Sequence, residues 1–380
     1  MSILGRYLTS MFIGHLALIL ISTVALLQLF DVMSVGDDLL EDLGGGFQVI
    51  LRYSLLRLPV LVTFLLPFSV LLAALMTFGR LHRYSELVAI QALGMPLLKI
   101  LLMLLPVMMV VVLLHFLISD QLTPRANRAL ADWQAASETR KPNDIALWLR
   151  DGDHLVSIGM IEEGGRRLKG LVIFKRDDHG NLTAQREAAE AVFDRDGWWL
   201  LEVKTLGVRP NAERSKTVIA REAWRTGIRP GLVKDLAAAP SALSIARMRR
   251  ILDHPEIGSR PMHVYQTWLH KSFALPLASL FMVALATASV RGLQRQGGVV
   301  LNALVGFGGA FIYFIADGVL QALGEAGSVH PALAAWLPLI TLALISGAVL
   351  YWVAMPRGRR KKGVMPPAAD DDTKLAPRTA

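Results

Sequence analysis

The 380-residue chain contains 53% hydrophobic and only 19% charged residues, with a net charge of +9 and no cysteine. Soluble domains carry about 25% charged residues, so this composition excludes a single soluble enzyme and a disordered chain. The absence of cysteine also excludes a disulfide-stapled secreted domain. Because most of the charged residues lie between positions 120 and 262, the sequence predicts two apolar, membrane-embedded thirds around a water-soluble middle.

Six stretches of the chain lack Asp, Glu, Lys and Arg. An ionised group is costly in the bilayer centre, and a helix needs about 20 apolar residues to cross it. The stretches that meet this length are residues 7–30, 58–79, 100–119, 272–290, 296–316 and 326–356. They predict six transmembrane helices (spans 1 to 6), with both termini on the same side.

Basic residues mark one set of span ends, namely Arg6, Arg80, Arg83, Lys99, Arg291, Arg295 and the cluster at 357–362. By the positive-inside rule these ends and both termini are cytoplasmic, and residues 120–265 lie on the far side. The predicted organisation is spans 1–3 in 1–119, an extramembrane domain in 120–265, spans 4–6 in 266–356 and a basic, then disordered tail in 357–380. No nucleic-acid partner is expected, since the largest basic run follows a span without interleaved aromatics.

The middle region changes to short runs with alternating or apolar character, separated by turns rich in Asp, Asn and Gly. The runs are 145–150, 155–162, 168–176, 183–194, 198–209 and 216–225. This pattern predicts an all-β domain of sequential antiparallel strands, as a sandwich, a jelly roll or an open barrel. In 183–194 Ala and Glu dominate, so a helix competes there. Helices are predicted on either side of the strands, at 125–137 and 241–252.

The sequence contains none of the common catalytic motifs: no G-x-x-x-x-G-K-[ST] phosphate loop, no H-E-x-x-H pair and no G-x-S-x-G elbow. We therefore predict no catalytic residue, no cofactor and no metal site. Transport and scaffolding are the remaining functional classes, and any energy from ATP must come from a partner protein.

Asp317 lies within the predicted fifth span, where charged residues are costly and often functional. It could serve a proton relay, but it stands without a chain of carboxylates or histidines, and we favour a structural hydrogen bond between helices. Lys271, which follows a cluster of aromatic residues and histidines, is interpreted as an anchor that extends toward the membrane interface at the outer entry of span 4.

The loop between spans 2 and 3 predicts a short helix at about 84–94. Ser85 can cap its first turn, Glu86 lies near the favourable positive end, and Gly94 ends it. An apolar stripe along it is formed by Leu87, Ile90 and Leu93. A helix that offers one carboxylate and an apolar ridge to the cytoplasm is shaped to dock in a groove of another protein. The alternative is a helix that only rests in the headgroup layer.

Further short motifs are spread over nearly the whole chain. They are Leu4-Gly5-Arg6-Tyr7, Leu65-Leu66-Pro67, Ser85-Glu86-Leu87-Val88 with Ala92-Leu93-Gly94, Pro124, Ala242-Leu243-Ser244, Asp317, His330-Pro331 and Trp336-Leu337-Pro338. With these motifs and its plan of three spans, a β-domain and three spans, the sequence resembles the permease subunits of the lipopolysaccharide export system (LptF/LptG, or YjgP/YjgQ). The resemblance is closer to LptG than to LptF.

The resemblance implies half of an ABC exporter that extracts lipopolysaccharide from the outer leaflet of the bacterial inner membrane. The implied partners are a second permease in a heterodimer, two copies of a cytoplasmic ABC ATPase and a periplasmic bridge protein with a single-span anchor. In the family the loop helix couples to the ATPase, which assigns this role to Ser85, Glu86, Leu87, Ile90 and Gly94. The family's β-domain is a periplasmic jelly roll, open along one edge, which passes acyl chains toward the bridge.

One departure from the family concerns the lipid phosphates. Family members often place basic residues at the outer end of span 1, whereas this chain has Asp31, Asp37 and Asp38 there. By topology, the predicted phosphate contacts are Arg52, Arg57, Arg125 and Arg128. Two other functions stay open: a non-transporting scaffold whose β-domain anchors envelope proteins, and a proton-driven lipid transporter that depends on Asp317.

Overall fold

The computed structural model describes residues 3–42, 46–136, 147–176, 181–195, 197–207, 216–292 and 299–354. Within these residues, six helices are long and apolar enough to cross a membrane. They are contained in α1 (Ile3–Asp42), α2 (Phe47–Arg83), α4 (Leu97–Leu117) with its continuation, α8 (Met262–Gly292), α9 (Val299–Glu325) and α10 (Pro331–Ala354). A short helix, α3 (Glu86–Ala92), joins α2 to α4. The predicted number of spans is confirmed.

The fifth span differs from its predicted limits. The charge-free stretch ended before Asp317, whereas the apolar part of α9 extends from Gly306 to Glu325 and includes Asp317. Asp317 does not end the span because its carboxylate pairs with Lys271 on α8 inside the bundle. A paired charge is far less costly in an apolar environment than an isolated one, so it need not mark the edge of the membrane.

Helix α8 lies at the centre of the bundle and packs against α2, α4, α9 and α10. In its most apolar window 56% of the residues are buried within the protein, compared with 11% for α1. Helix α1 packs mainly on α2 and leaves a long apolar face exposed. We name the bundle end that carries α3 the short-helix end, and the opposite end, which continues into the β-domain, the sheet end.

At the sheet end, α4 continues without a break into α5 (Thr123–Ala136) through a π-helical turn at Ile118–Leu122. Asp120, in this turn, accepts a hydrogen bond from the backbone N–H of Ile245 at 2.7 Å. Ile245 is the first residue of α7 (Ile245–Leu252), so the third span directly contacts the helix that leads back to the membrane. The π turn thus joins the bundle to the extramembrane domain.

The extramembrane domain is built on one antiparallel sheet of seven strands. The strands are β1 (Leu147–Asp151), β2 (His154–Glu162), β3 (Arg167–Arg176), β4 (Leu182–Asp194), β5 (Gly197–Gly207), β6 (Lys216–Trp224) and β7 (Ile257–Gly258). Their order is β6-β5-β4-β3-β2-β1-β7, a sequential meander in which the last short strand pairs with β1 at the edge. In the described residues β6 and β7 are not paired with each other, so the sheet is open. The predicted class, six membrane helices with an inserted all-β domain, is confirmed.

The segment at 183–194 is a strand, and the competing helix is wrong. As β4 it pairs with β3 on one side and with β5 on the other. Ladder hydrogen bonds on both sides, together with buried Ala188 and Ala191 on the inner face, outweigh the helix propensity of Ala and Glu.

Two helices pack against the inner face of the sheet. Helix α6 (Pro230–Ala237) was not predicted, and the single helix predicted at 241–252 is a 3₁₀ turn at Pro240–Ala242 followed by α7. The buried core between sheet and helices includes Trp198, whose indole N–H donates to the carbonyl of Ile228 at 2.8 Å. Tyr265, near the start of α8, belongs to the same core, so the β-domain and the bundle pack against each other.

Candidate functional sites at the two ends of the bundle

The short helix α3 is set between two left-handed residues. Ser85 has φ 56° and Gly94 has φ 83°. Ser85 does not cap the helix with its side chain, contrary to the prediction. An N-cap residue needs an extended backbone to aim its hydroxyl at the first turn, and the left-handed backbone of Ser85 does not provide it. Its backbone instead ends α2, donating to the carbonyl of His82, and accepts from the N–H of Ala89.

Two of the three residues of the predicted apolar stripe, Leu87 and Ile90, face the bundle. Leu87 is 1% exposed and Ile90 is 9% exposed, and both belong to the core shared by the spans. The prediction that they form a ridge toward the cytoplasm is therefore wrong. On α3 and directly beside it in the sequence, Tyr84, Val88 and Leu93 are apolar side chains that are exposed, at 65%, 51% and 79%. We call these three residues the α3 outer face.

The carboxylate of Glu86 is bound by the first turns of α1. The hydroxyl of Tyr7 lies 3.0 Å and 3.2 Å from its two oxygens. Two turns further along α1, Nδ1 of His15 lies 2.8 Å from the hydroxyl of Thr77 on α2. Between these contacts a cavity of about 280 Å³ opens, lined by Tyr7, Ser10, Met11, Gly14, His15 and Arg80. Helix α1 thus has, beside its buried apolar contacts, two polar contacts that flank open space.

At the sheet end, both predicted phosphate contacts on α2 have partners within the protein. Nε of Arg57 lies 3.2 Å from the carboxylate of Asp31, which also accepts from the Tyr53 hydroxyl at 2.8 Å. The guanidinium of Arg52 stacks on the ring of Trp133 at 4.9 Å from its centroid. Asp31 at the outer end of α1 is therefore neutralised within the protein.

The other two arginines lie in a larger group. Arg125 and Arg128 project from α5, and Arg128 is within electrostatic reach of Arg125, Arg247, Arg250 and Asp235. Asp235 on α6 is 3% exposed and binds two guanidinium groups of α7, at 2.7 Å to Arg247 and 3.6 Å to Arg250. We call Arg125, Arg128, Arg247 and Arg250 the arginine cluster. It holds four positive charges around one carboxylate.

Two of these four arginines were not predicted. Arg247 and Arg250 lie three residues apart on one face of α7, next to the face that buries Met248 and Ile251. That amphipathic spacing was a signal, but only the packing of α7 beside α5 brings the four groups together. Nε of Arg128 is buried and has no hydrogen-bond partner among the described residues. The cluster therefore retains unused donors.

Asp317 makes the contact between helices that the sequence analysis favoured, and its partner is Lys271, which is therefore not an anchor at the membrane interface. The Lys271 ammonium lies 2.5 Å from the Asp317 carboxylate and 2.7 Å from the side-chain oxygen of Gln321. Both charged residues are buried, at 7% and 8% exposure. The preferred contact between helices is thus an ion pair that links α8 to α9. In the described residues no three His, Asp or Glu side chains form a group that could hold a metal ion.

Comparison with known proteins gives a match to the family model described as lipopolysaccharide export system permease LptF/LptG, over residues 6–352. This chain belongs to the LptF/LptG permease family. A lipopolysaccharide export system permease protein LptG of Escherichia coli K12 is 24% identical over 342 residues, which cover 88% of this chain and 92% of that protein. The LptG of Haemophilus influenzae is 22% identical over 312 residues, 80% of this chain and 84% of that protein.

The LptF/LptG membership and the LptG-like prediction are thus confirmed. The match extends over both ends of the bundle, including Tyr7, α3, the arginine cluster and Asp317. As a member of a permease family with six apolar helices, the chain is a multi-pass inner-membrane protein.

Proposed function

We propose that this permease is the membrane half of an ABC exporter that extracts lipopolysaccharide from the inner membrane and passes it to a periplasmic bridge protein. A second permease of the family completes the membrane part, and two copies of a cytoplasmic ABC ATPase supply the energy. The observation that carries the proposal is that the two ends of the bundle differ. One end has a short helix with an exposed apolar face, and the other has a cationic cluster beside an open sheet.

Orientation follows from the charges at the short-helix end. Arg6, Arg80, Arg83 and Lys99 all lie at this end, and the positive-inside rule places such residues in the cytoplasm. The short-helix end is then accessible to a cytoplasmic ATPase, and the β-domain is periplasmic.

The ATPase would contact the α3 outer face. Leu87 and Ile90 fix α3 to the bundle, so a force on the exposed side of the helix is transmitted to the spans. Tyr84, Val88 and Leu93 supply the apolar contact area. Glu86 is the only carboxylate between residues 43 and 119, so it gives the otherwise basic short-helix end one group that attracts a cation.

The lipid phosphates would meet the arginine cluster. Arginine binds phosphate through its planar fork of donors, and several guanidinium groups around one site reinforce each other. Nε of Arg128 has no hydrogen-bond partner among the described residues, whereas Arg57 is paired with Asp31, so we favour the α5 residues over the α2 residues as phosphate contacts. The acyl chains would then pass along the inner face of the open sheet.

The other two functions receive less support. A proton relay needs a carboxylate that can gain and lose its proton, whereas Asp317 is held by Lys271 at 2.5 Å. A scaffold that only anchors envelope proteins gives no reason for an apolar helix face at the opposite end from the β-domain.

The test is copurification of the permease pair with a lipopolysaccharide-export ABC ATPase, followed by ATP-driven release of lipopolysaccharide from proteoliposomes. Val88→Glu, on the α3 outer face, should abolish both ATPase binding and release. Val218→Glu is the matched control, because Val218 lies on the edge strand β6 and is 62% exposed. ATPase binding and lipid release that persist in Val88→Glu would contradict the docking face, and a wild-type permease without either activity would overturn the proposal.

A further inference from the structure

Tyr7 makes the contact that connects α1 to α3. Its hydroxyl lies within hydrogen-bond distance of both oxygens of Glu86, 79 residues away in the sequence. Below this bond, Leu8 of α1 and Leu87 of α3 are fully buried in the same apolar cluster. Helix α1 is otherwise the least buried of the six spans. The Tyr7–Glu86 bond therefore joins the most weakly packed span to the short helix.

The Glu86 carboxylate can readily exchange the Tyr7 hydroxyl for another hydrogen-bond donor. Tyr7 is 42% exposed and Glu86 is partly exposed, so water and other donors can reach the carboxylate. A carboxylate has about four acceptor sites, and the phenol hydroxyl supplies one hydrogen. A cationic side chain that approaches Glu86 makes a stronger, charge-assisted bond than the neutral phenol does. It can therefore share the carboxylate with Tyr7 or displace it.

The surroundings of Tyr7 allow α1 to move. The cavity of about 280 Å³ beside Tyr7 extends along α1 to Gly14 and His15. The next polar contact between α1 and α2, from His15 to Thr77, lies at the far end of that cavity, two turns from Tyr7. A shift of the first two turns of α1 thus requires the loss of one exposed hydrogen bond and a rearrangement of the buried Leu8, and the cavity provides open space beside them.

We propose that Tyr7 is a positioning residue that ties α1 to α3 through Glu86, so that a cationic group of the docked ATPase binding Glu86 changes the position of α1. The inference rests on the proposed function, because it needs an ATPase at α3. It adds a route from the docking helix to the first span and assigns a role to the Leu4-Gly5-Arg6-Tyr7 motif.

The experiment compares Tyr7→Phe, which removes only the hydroxyl, with wild-type permease in the complete exporter in proteoliposomes. ATPase copurification should be unchanged, since the α3 outer face is intact. Lipopolysaccharide released per ATP hydrolysed should fall about fivefold, the factor expected for one lost exposed hydrogen bond. Tyr351→Phe is the matched control, because Tyr351 is 68% exposed on α10, outside the contact between Tyr7 and Glu86.

A second readout reports the position of α1 directly. The chain has no cysteine, so Ser10→Cys on α1 and Ala92→Cys on α3 allow this subunit to be spin-labelled at two chosen sites. The distribution of distances between the two spin labels should be narrow when the rest of the chain is native. It should be broader with Tyr7→Phe and unchanged with Tyr351→Phe. Glu86→Gln keeps an acceptor for Tyr7 but loses the charge, so it should keep the narrow distribution and weaken ATPase binding.

If Tyr7→Phe exports as much lipopolysaccharide per ATP as the wild type and shows an equally narrow distance distribution, this inference is overturned. The proposed function is then left intact. A wild-type complex that neither binds the ATPase nor exports lipopolysaccharide would instead remove the proposed function, on which the inference depends.

Discussion

The two ends of the bundle hold their carboxylates in opposite ways. At the sheet end, Asp317 and Asp235 are buried and paired with basic side chains of neighbouring helices. At the short-helix end, Glu86 is partly exposed and bound by a neutral phenol. A buried ion pair is costly to break, whereas an exposed neutral hydrogen bond exchanges readily. The difference indicates that the sheet end keeps its helices in fixed positions and the short-helix end responds to a partner.

The largest expected effect comes from breaking the buried pair. Lys271→Met leaves the Asp317 carboxylate without its cation and should lower stability by about 3–5 kcal/mol. The double variant Lys271→Met/Asp317→Leu should recover most of that loss, since no buried charge is then left unpaired. Thermal unfolding in detergent measures both, with Lys99→Met as the control because Lys99 is exposed. If Lys271→Met is as stable as the wild type, the buried ion pair does not hold the helices in position at the sheet end.

A smaller effect is expected where α9 packs closely against α10. A Cβ atom at Gly324 of α9 would lie 2.6 Å from the Cβ of Ala334 on α10, whereas Gly318 has open space. Gly324→Ala should destabilise the protein by about 1–3 kcal/mol through overpacking. Gly318→Ala, the matched substitution, should be neutral or stabilise by up to about 1 kcal/mol. Equal unfolding temperatures for the two variants would argue against close packing at the sheet end.

The smallest effect is expected at the outer end of α1. The pair between Arg57 and Asp31 is partly exposed, so Arg57→Gln should cost less than about 1 kcal/mol. Because Arg57 is engaged by Asp31, this variant should also retain lipopolysaccharide binding, while Arg128→Gln should weaken it. Binding of purified lipopolysaccharide to the two variants compares them directly. If Arg57→Gln weakens lipopolysaccharide binding and Arg128→Gln does not, the phosphate site lies on α2 and not at the arginine cluster.

The sequence was sufficient for features that depend on local pattern. Long apolar stretches predicted the six spans, and even turn spacing predicted the sequential strands. Wrong boundaries and open alternatives arose where tertiary contacts decide. The charge-free stretch of span 5 ended before Asp317, and the partner that allows Asp317 to lie inside the span, Lys271, is 46 residues away. Residues 183–194 have helical composition, and only pairing on both sides makes them a strand.

The sequence predicted which segments contain the candidate sites, but not which way their side chains face or which residues they contact. An amphipathic pattern shows that α3 has an apolar side, but not whether that side faces the protein's own bundle or a partner. Leu87 and Ile90 turned out to face the bundle. Arg247 and Arg250 were missed because their proximity to Arg125 and Arg128 arises from the packing of α7 beside α5. The contact of Tyr7 with Glu86 likewise joins residues far apart in the chain.

The central claim, a lipid path from the membrane to the sheet, is tested most directly by site-specific photocrosslinking in the reconstituted exporter. The probe positions are Arg125 in the arginine cluster and Thr205 on β5, on the same face as buried Val203; Lys204 on the opposite face is the control. We predict lipopolysaccharide adducts at Arg125 with or without ATP, adducts at Thr205 only during ATP hydrolysis, and none at Lys204. No adduct at Thr205 during hydrolysis, or equal adducts at Thr205 and Lys204, would contradict the account.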